Sequence, residues 1–224
     1  LIMVILKNLF SIFQDKREIL DLTSFGDELA LKISWEPLVG GGTSFCTHRL
    51  RAKSDARSDL IEFEITIAAI LTIVVFFAAC LAGLVGAASS GDGLPMLASI
   101  AMTGFCIWWA FQLVGDQTIF DRSSCRFVRK GITSSLENIR AIQLVREYIR
   151  GNRNSYYSYE LNLVCFSGDR IIMVDHGSLR AIREDAEMLA NYLSVPVWDA
   201  IDYRVPEQVA GWNSKFEILR NNID

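Results

Sequence analysis

The chain has 224 residues, of which 51% are hydrophobic and 21% are charged, and its formal net charge is −4 at pH 7. Since 26 Asp and Glu outnumber 22 Lys and Arg, no overall basic field exists and nucleic acid is not expected as a partner. The hydrophobic surplus is large for a soluble domain, and it is concentrated in two stretches.

Residues 1–27 begin with an apolar run, which Lys7 and a cluster of charges follow. A secretory signal would place its basic residues before the apolar run, so this order does not fit one. We expect an amphipathic or interfacial segment here. The alternatives are a disordered segment and the end of a truncated further span.

Residues 28–60 form the next predicted unit, a cytoplasmic strand pair with its linker. The stretches 28–35 and 43–51 are strand-like, and the glycine-rich residues 36–42 between them predict a turn. A phosphate-binding loop is not favoured for these glycines, because no Lys-Ser/Thr pair follows them.

Residues 65–115 predict a transmembrane hairpin. A membrane span needs about 20 apolar residues, and both 65–87 and 94–114 reach that length without an ionisable Asp, Glu, Lys, Arg or His. Residues 88–93 between them favour a turn, so the two helices are antiparallel neighbours. The absence of charged groups inside the spans favours an anchor over a transporter or channel.

Basic residues near the outer ends of the hairpin predict its orientation. They are absent from the turn and stand on both flanks: Arg49, Arg51, Lys53 and Arg57 before it, and Arg122, Arg126, Arg129 and Lys130 after it. Because Lys and Arg near span ends are retained in the cytoplasm, both termini are expected on the cytoplasmic side of a cell inner membrane.

Residues 117–199 predict an α+β domain: a small antiparallel β-barrel or sheet capped by one C-terminal helix. An amphipathic helix follows Ser178 and stops at Val195-Pro196, and residues 200–224 form a tail. Five strands are predicted: two within 117–130, with a turn near 121–124, and one each at 138–149, 157–166 and 170–176.

Several short motifs in this region resemble one family. They are Tyr159-Glu-Leu-Asn-Leu163, Gly168-Asp-Arg170, Val174-Asp-His-Gly177 and Val195-Pro-Val-Trp-Asp199. Together they resemble the cytosolic pleckstrin-homology-like domain of two-span bacterial membrane proteins, a family without an established activity. The resemblance covers about 117–199 and implies a fold and a cellular position.

A pleckstrin-homology-like barrel usually has seven strands, two more than the five predicted after the hairpin. The stretches within 28–51 would supply the missing two, which makes the hairpin an insertion within one folded unit. The alternative is a separate N-terminal hairpin or a loose segment.

Recognisable catalytic motifs are absent from the sequence, and the only histidines are His48 and His176. Asp175 and His176 are a weak candidate site, because adjacent strand residues point to opposite faces and cannot form a simple acid–base dyad. No cofactor or metal is expected, since the cysteines are odd in number and lack metal-binding spacing: Cys46, Cys80, Cys106, Cys125 and Cys165.

Arg126, Arg129 and Lys130 are candidates to face lipid, where each near-surface charge contributes about 1 kcal/mol. Topology retention is the favoured explanation of these charges. We therefore expect a membrane-anchored, non-enzymatic cytoplasmic interaction or scaffold module that contacts the bilayer and an unidentified protein, for example through the aromatic residues 156–159. The alternative is a small membrane-associated enzyme or sensor that uses Asp175, His176 and the arginines.

Overall fold

The computed structural model describes residues 17–53, 59–91, 93–115, 117–151 and 154–206. The greater part of the predicted segment 1–27 and most of the predicted tail 200–224 lie outside these ranges. Within them the chain is α+β, with antiparallel sheets and two long apolar helices.

The N-terminal segment contains a short helix, α1 (Glu28–Lys32), so the strand predicted at 28–35 is wrong. The Asp27 carboxylate caps this helix by accepting a hydrogen bond from the Leu29 amide at 2.9 Å. Trp35 is buried after the helix, and its Nε1 donates to the Ala30 carbonyl at 2.8 Å. These local bonds stabilise a helical turn where the apolar spacing alone was compatible with a strand.

A five-stranded antiparallel sheet follows, in which each strand pairs with the next along the chain. Asp121 accepts hydrogen bonds from the amides of Ser123 and Ser124, which closes the predicted turn near 121–124. A second tight turn consists of Lys130 and Gly131, whose φ angles of 49° and 77° are typical of a two-residue hairpin. The strands are β1 (His48–Ala52), β2 (Leu60–Ile65), β3 (Thr118–Asp121), β4 (Arg126–Arg129) and β5 (Ile132–Ser135).

The two long helices, α2 (Ile67–Ser90) and α3 (Gly93–Val114), form an antiparallel pair between β2 and β3. Both are long and apolar enough to cross a membrane. Gly83 lies against Ser99, and the sulfurs of Cys80 and Cys106 are 3.7 Å apart. Because β2 and β3 are hydrogen-bonded neighbours, the helix pair is an insertion within one sheet.

The second sheet has four strands in the order β8-β7-β6-β9, and only β9 runs parallel to its neighbour. Its strands are β6 (Ile139–Ile149), β7 (Tyr156–Cys165), β8 (Arg170–His176) and β9 (Val197–Asp199). A last helix, α4 (Leu179–Leu193), packs against β1, β6 and β7. On that helix Asp185 is fully buried and accepts a hydrogen bond from Arg49 Nε at 2.9 Å, which ties α4 to β1.

Each face of the four-stranded sheet is covered. The inner face packs against the five-stranded sheet and α4 in a core that includes Leu50, Phe63, Phe120, Ile142, Leu144, Leu161, Leu163, Ile182 and Leu189. The outer face packs against the N-terminal segment, where the rings of Trp35 and Trp198 lie 6.4 Å apart.

The strand count corrects the sequence-based one, because seven strands, and not five, follow the helix pair within the described residues. The sequence did not reveal three of the strands. Two of them are too short to show a hydrophobic period, Ile132–Ser135 and Val197–Asp199. The third, Leu60–Ile65, is continuous in sequence with the apolar run of α2. A strand was predicted at 43–51, and in the structure this strand begins only at His48. Within the described ranges the strands form two sheets, with no closed barrel.

Candidate functional site at the base of the helix pair

A cavity of about 320 Å³ lies where the end of α3 meets the two sheets. We call it the base cavity. Its lining comes from parts of the chain that are far apart in sequence: Val39, Thr43, Thr47, His48, Trp109, Gln112, Leu113, Arg129, Lys130 and the β8 residues 172–175. The lining therefore combines basic and polar side chains with apolar ones.

His48 joins the end of α3 to β1. Its Nε2 lies 3.2 Å from the Leu113 carbonyl oxygen, which can only accept, so Nε2 carries the proton and donates. In the neutral ring Nδ1 then accepts from the Thr47 hydroxyl at 3.1 Å. Because the last carbonyls of a helix lack partners within it, this bond stabilises the end of α3.

The three basic residues singled out in the sequence are divided by the structure. Alternation along β4 places Arg129 on the same side as the buried Phe127, and both Arg129 and Lys130 line the base cavity. Arg126 is exposed on the other side of the strand and does not line the cavity. The sequence therefore identified two cavity residues and one surface residue as a single patch.

Asp175 and His176 are divided in the same way. Asp175 lines the base cavity and accepts a hydrogen bond from the Ser158 hydroxyl on β7. Burial raises the pKa of Asp175 to about 6, and the nearby Glu160 and Glu147 carboxylates also raise it, against the effect of Ser158. His176 is fully buried and lies outside the cavity lining.

His176 instead contacts Cys46, whose sulfur lies 3.5 Å from Nε2. The Ser178 amide donates to His176 Nδ1 at 3.2 Å, so in the neutral ring Nε2 carries the proton and cannot take one from the thiol. Burial raises the pKa of Cys46 to about 11 and lowers that of His176 to about 4. The two groups therefore stay neutral near pH 7 and do not form a reactive thiolate–imidazolium pair.

A buried polar layer, which the sequence did not reveal, fixes one wall of the cavity. The segment 36–44, here called the strap, crosses the outer face of the four-stranded sheet. The buried Glu160 carboxylate accepts hydrogen bonds from the Leu38 amide at 2.9 Å and the Val39 amide at 3.1 Å. Arg170 donates to the Glu36 carbonyl at 2.8 Å. These bonds position Val39 and Thr43 in the cavity wall.

The glycines of the strap allow its close approach to the sheet. A Cβ atom at Gly42 would overlap the Asp175 carboxylate and the Ser158 hydroxyl, so only glycine fits there without a shift. The Tyr156 hydroxyl donates to the Gly42 carbonyl at 2.8 Å, and Glu147 accepts from the Gly41 amide at 3.0 Å. Glycine is thus required at position 42 because the strap packs closely against β7 and β8, and not only because a turn was predicted here.

Among the described residues, no three His, Cys, Asp or Glu side chains are grouped so as to hold a metal ion. Comparisons of the chain with protein-family models, with curated proteins and with solved structures each found no match. Function is therefore inferred from the residues and geometry of the chain itself.

Proposed function

We propose that the chain is a membrane-anchored, non-enzymatic interaction module whose sheet domain is held in a fixed orientation at the cytoplasmic surface of an inner membrane. The observation that carries this proposal is the direct passage from sheet to helix. Ile65 ends β2 and Ile67 begins α2, while Val114 ends α3 and Thr118 begins β3. Only residue 66 lies between β2 and α2, and only residues 115–117 lie between α3 and β3, so the orientation of the sheet domain follows that of the helices.

Membrane insertion is supported by the exposure of the apolar side chains. A core helix of a soluble protein buries its apolar stripe, whereas Val75, Val85, Leu94 and Phe111 are 65%, 70%, 82% and 73% exposed. An apolar surface of this extent is unstable in water. The 24 residues of α2 give a helix of about 36 Å, enough for a hydrocarbon core of about 30 Å.

Hydrogen bonds hold the junction in place. The Thr66 amide donates to the Thr47 carbonyl at 2.9 Å, and the Thr66 hydroxyl donates to the Cys46 carbonyl at 2.8 Å. The same hydroxyl caps α2 by accepting from the Ala69 amide at 3.2 Å. With the bond from His48 to Leu113, both helices are tied to residues 46–48, where β1 begins.

The finer assignment to a pleckstrin-homology-like domain belongs to the same proposal. Antiparallel sheets with one helix packed on β1, β6 and β7 are consistent with it. A protein partner is supported by Tyr148 and Tyr157, which are 58% and 44% exposed, with Arg146 lying 4.4 Å over the Tyr157 ring. Tyrosine and arginine are enriched among the residues that dominate binding energy at protein interfaces.

The test combines membrane extraction with labelling of cysteines by a membrane-impermeant maleimide in intact and permeabilised bacterial cells. The native Cys125 is exposed on the β3–β4 turn and serves as the domain reporter, and Ser89→Cys is the reporter at the α2–α3 turn. We expect the chain to resist alkaline extraction, Ser89→Cys to react in intact cells, and Cys125 to react only after permeabilisation. Extraction at alkaline pH, or reaction of Cys125 in intact cells, would overturn the proposal.

A further inference from the structure

We propose that the base cavity binds the phosphate headgroup of an anionic glycerophospholipid, whose acyl chains lie along the exposed surface of α3. The inference rests on the proposed function, because it requires the helix pair to be in a membrane. It adds that the anchor binds one specific lipid, beyond its general contact with the bilayer.

The polar side chains of the cavity lining have the chemistry of a phosphate site. Arg129 and Lys130 both line it, and the Gln112 amide adds a neutral donor. A guanidinium can bind two phosphate oxygens at once, and an ammonium acts as a compact point charge. Arg129 ends β4 and Lys130 begins the turn that leads to β5, so both cations come from the same end of this hairpin.

Asp175 limits the charge that the cavity accepts. Its carboxylate is part of the same lining as Arg129 and Lys130, and when ionised it repels a negative charge brought close to it. A polyphosphate headgroup carries more negative charge than a single phosphodiester, so the lining favours a lipid with one phosphate.

The position of the cavity favours a lipid over a soluble phosphate. Leu113, Trp109 and Val39 line its apolar part, and Trp109 belongs to the last turns of α3. Along the same helix Phe105, Trp108 and Phe111 are 54%, 55% and 73% exposed, so apolar surface continues away from the cavity. A headgroup in the cavity would direct its acyl chains onto this surface, at the depth where tryptophan is enriched in membrane proteins.

A structural alternative assigns Arg129 and Lys130 to the end of α3. Cations near a helix C-terminus stabilise it through the partial negative charge of the unpaired carbonyls. This alternative predicts that their removal lowers stability but leaves lipid selectivity unchanged. Lipid selectivity is therefore the quantity to measure.

The experiment uses the full chain in a neutral detergent and measures lipid binding by native mass spectrometry. The probes are dioleoyl phosphatidylglycerol, dioleoyl phosphatidylcholine and glycerol 3-phosphate. The variants are Arg129→Gln and Lys130→Asn, in which asparagine tolerates the positive φ angle at position 130. Arg126→Gln is the matched control, because it removes the same charge from the same strand outside the cavity.

We expect the wild-type chain to prefer phosphatidylglycerol over phosphatidylcholine and to bind glycerol 3-phosphate far more weakly than either lipid. Arg129→Gln and Lys130→Asn should each lower the affinity for phosphatidylglycerol about fivefold, and Arg126→Gln should leave it unchanged. Equal binding of the two lipids by the wild type, which needs no variant to fold, would overturn the inference. So would equal losses in Arg126→Gln and the cavity variants, or tight binding of glycerol 3-phosphate.

The outcome is separable from that of the proposed function. A chain that resists alkaline extraction but shows no lipid preference contradicts only the lipid site. A chain that is extracted at alkaline pH contradicts the membrane anchor itself.

Discussion

The helix pair and the outer face of the four-stranded sheet both reverse the usual distribution of polar and apolar residues. In the helix pair large apolar side chains are exposed, as at Val75 and Phe111. On the outer face of the sheet Gln143, Glu160 and Asn162 are almost completely buried. Each reversal needs a compensating environment, because exposed apolar surface and unpaired buried polar groups are both costly.

The two regions are compensated differently. The exposed side chains of the helix pair need an apolar solvent, which the protein itself does not supply. The buried polar groups of the sheet need hydrogen-bond partners, and the chain supplies several of them: Asn162 donates to Glu160 at 2.6 Å, and Gln143 donates to the Ser34 carbonyl at 3.0 Å. One region therefore depends on the environment, and the other depends on the geometry of the strap.

The largest expected effect is that of Glu160→Ala, which removes the acceptor for two backbone amides of the strap and for Asn162. Leaving the buried Asn162 amide and the two partly buried strap amides without their charged acceptor should lower the free energy of unfolding by about 4 kcal/mol. The measurement is denaturant unfolding of the full chain in detergent, followed by tryptophan fluorescence, since Trp35 directly precedes the strap and its ring lies 6.4 Å from that of Trp198.

Glu147→Ala is the control for this prediction. Glu147 also accepts from a strap amide, that of Gly41, but its bond is exposed to water. Its loss should cost less than about 1 kcal/mol, because water can replace it. Similar losses in the two variants would show that burial of the Glu160 network does not stabilise the strap.

The next effect concerns the helix pair. Val75→Lys places a charge near the middle of α2, which should cost about 3 kcal/mol of membrane insertion and lower the membrane-bound fraction of the chain. Ile132→Lys on the edge strand β5 is the matched control, since Ile132 is 70% exposed and Val75 is 65% exposed. The readout is the amount of chain left in alkali-washed membranes, and an equal amount for both variants would show that α2 does not contact lipid.

A smaller effect is expected from Gly42→Ala. The new methyl group would overlap Asp175 and Ser158, so the strap must move, at a cost of about 2 kcal/mol. Gly40→Ala provides the comparison, because its Cβ would meet Glu147 at an ordinary 3.4 Å. Thermal unfolding of both variants checks this prediction. Equal midpoints would show that the packing around Gly42 does not exclude a methyl group.

The sequence predicted the elements that have a clear hydrophobic period. Strand 170–176 matches β8, and 138–149 and 157–166 match β6 and β7 to within one residue at each end. The helix pair was predicted by its length and apolar composition. The helix at Glu28–Lys32 was missed because it depends on the Asp27 cap and on burial of Trp35, and neither is visible as a period.

The candidate site was predicted only in part, since its residues come together through long-range contacts. Arg129, Lys130 and Asp175 were singled out by charge, but each was grouped with a neighbour that points elsewhere, Arg126 or His176. The period of two along a strand separates Arg126 from Arg129 and Asp175 from His176, so alternation was the available signal. The buried Glu160 gave no such signal, because its partners lie 122 and 121 residues earlier in the chain.

The smallest expected effect is a change in pH dependence on replacing Asp175 with Asn. The pKa of this carboxyl is about 6 in the folded chain, above its ordinary value of 3.8, so between these values the folded state holds more protons than the unfolded state. The contribution of Asp175 to stability therefore falls as the pH rises from about 4 to about 6. Asp175→Asn removes this loss and keeps an acceptor for the Ser158 hydroxyl, so its unfolding midpoint should rise relative to wild type across the same window. The gain should be about 1 kcal/mol or less, because the carboxylate is partly solvated.

Two other buried groups also make stability depend on pH in this window. The contribution of His176, whose pKa is lowered to about 4, rises with pH, and that of Asp185, whose pKa is raised to about 6, falls with pH. Both groups are present in the two proteins, so the difference between their unfolding midpoints from pH 4 to 7.5 isolates Asp175, and parallel curves would contradict its raised pKa.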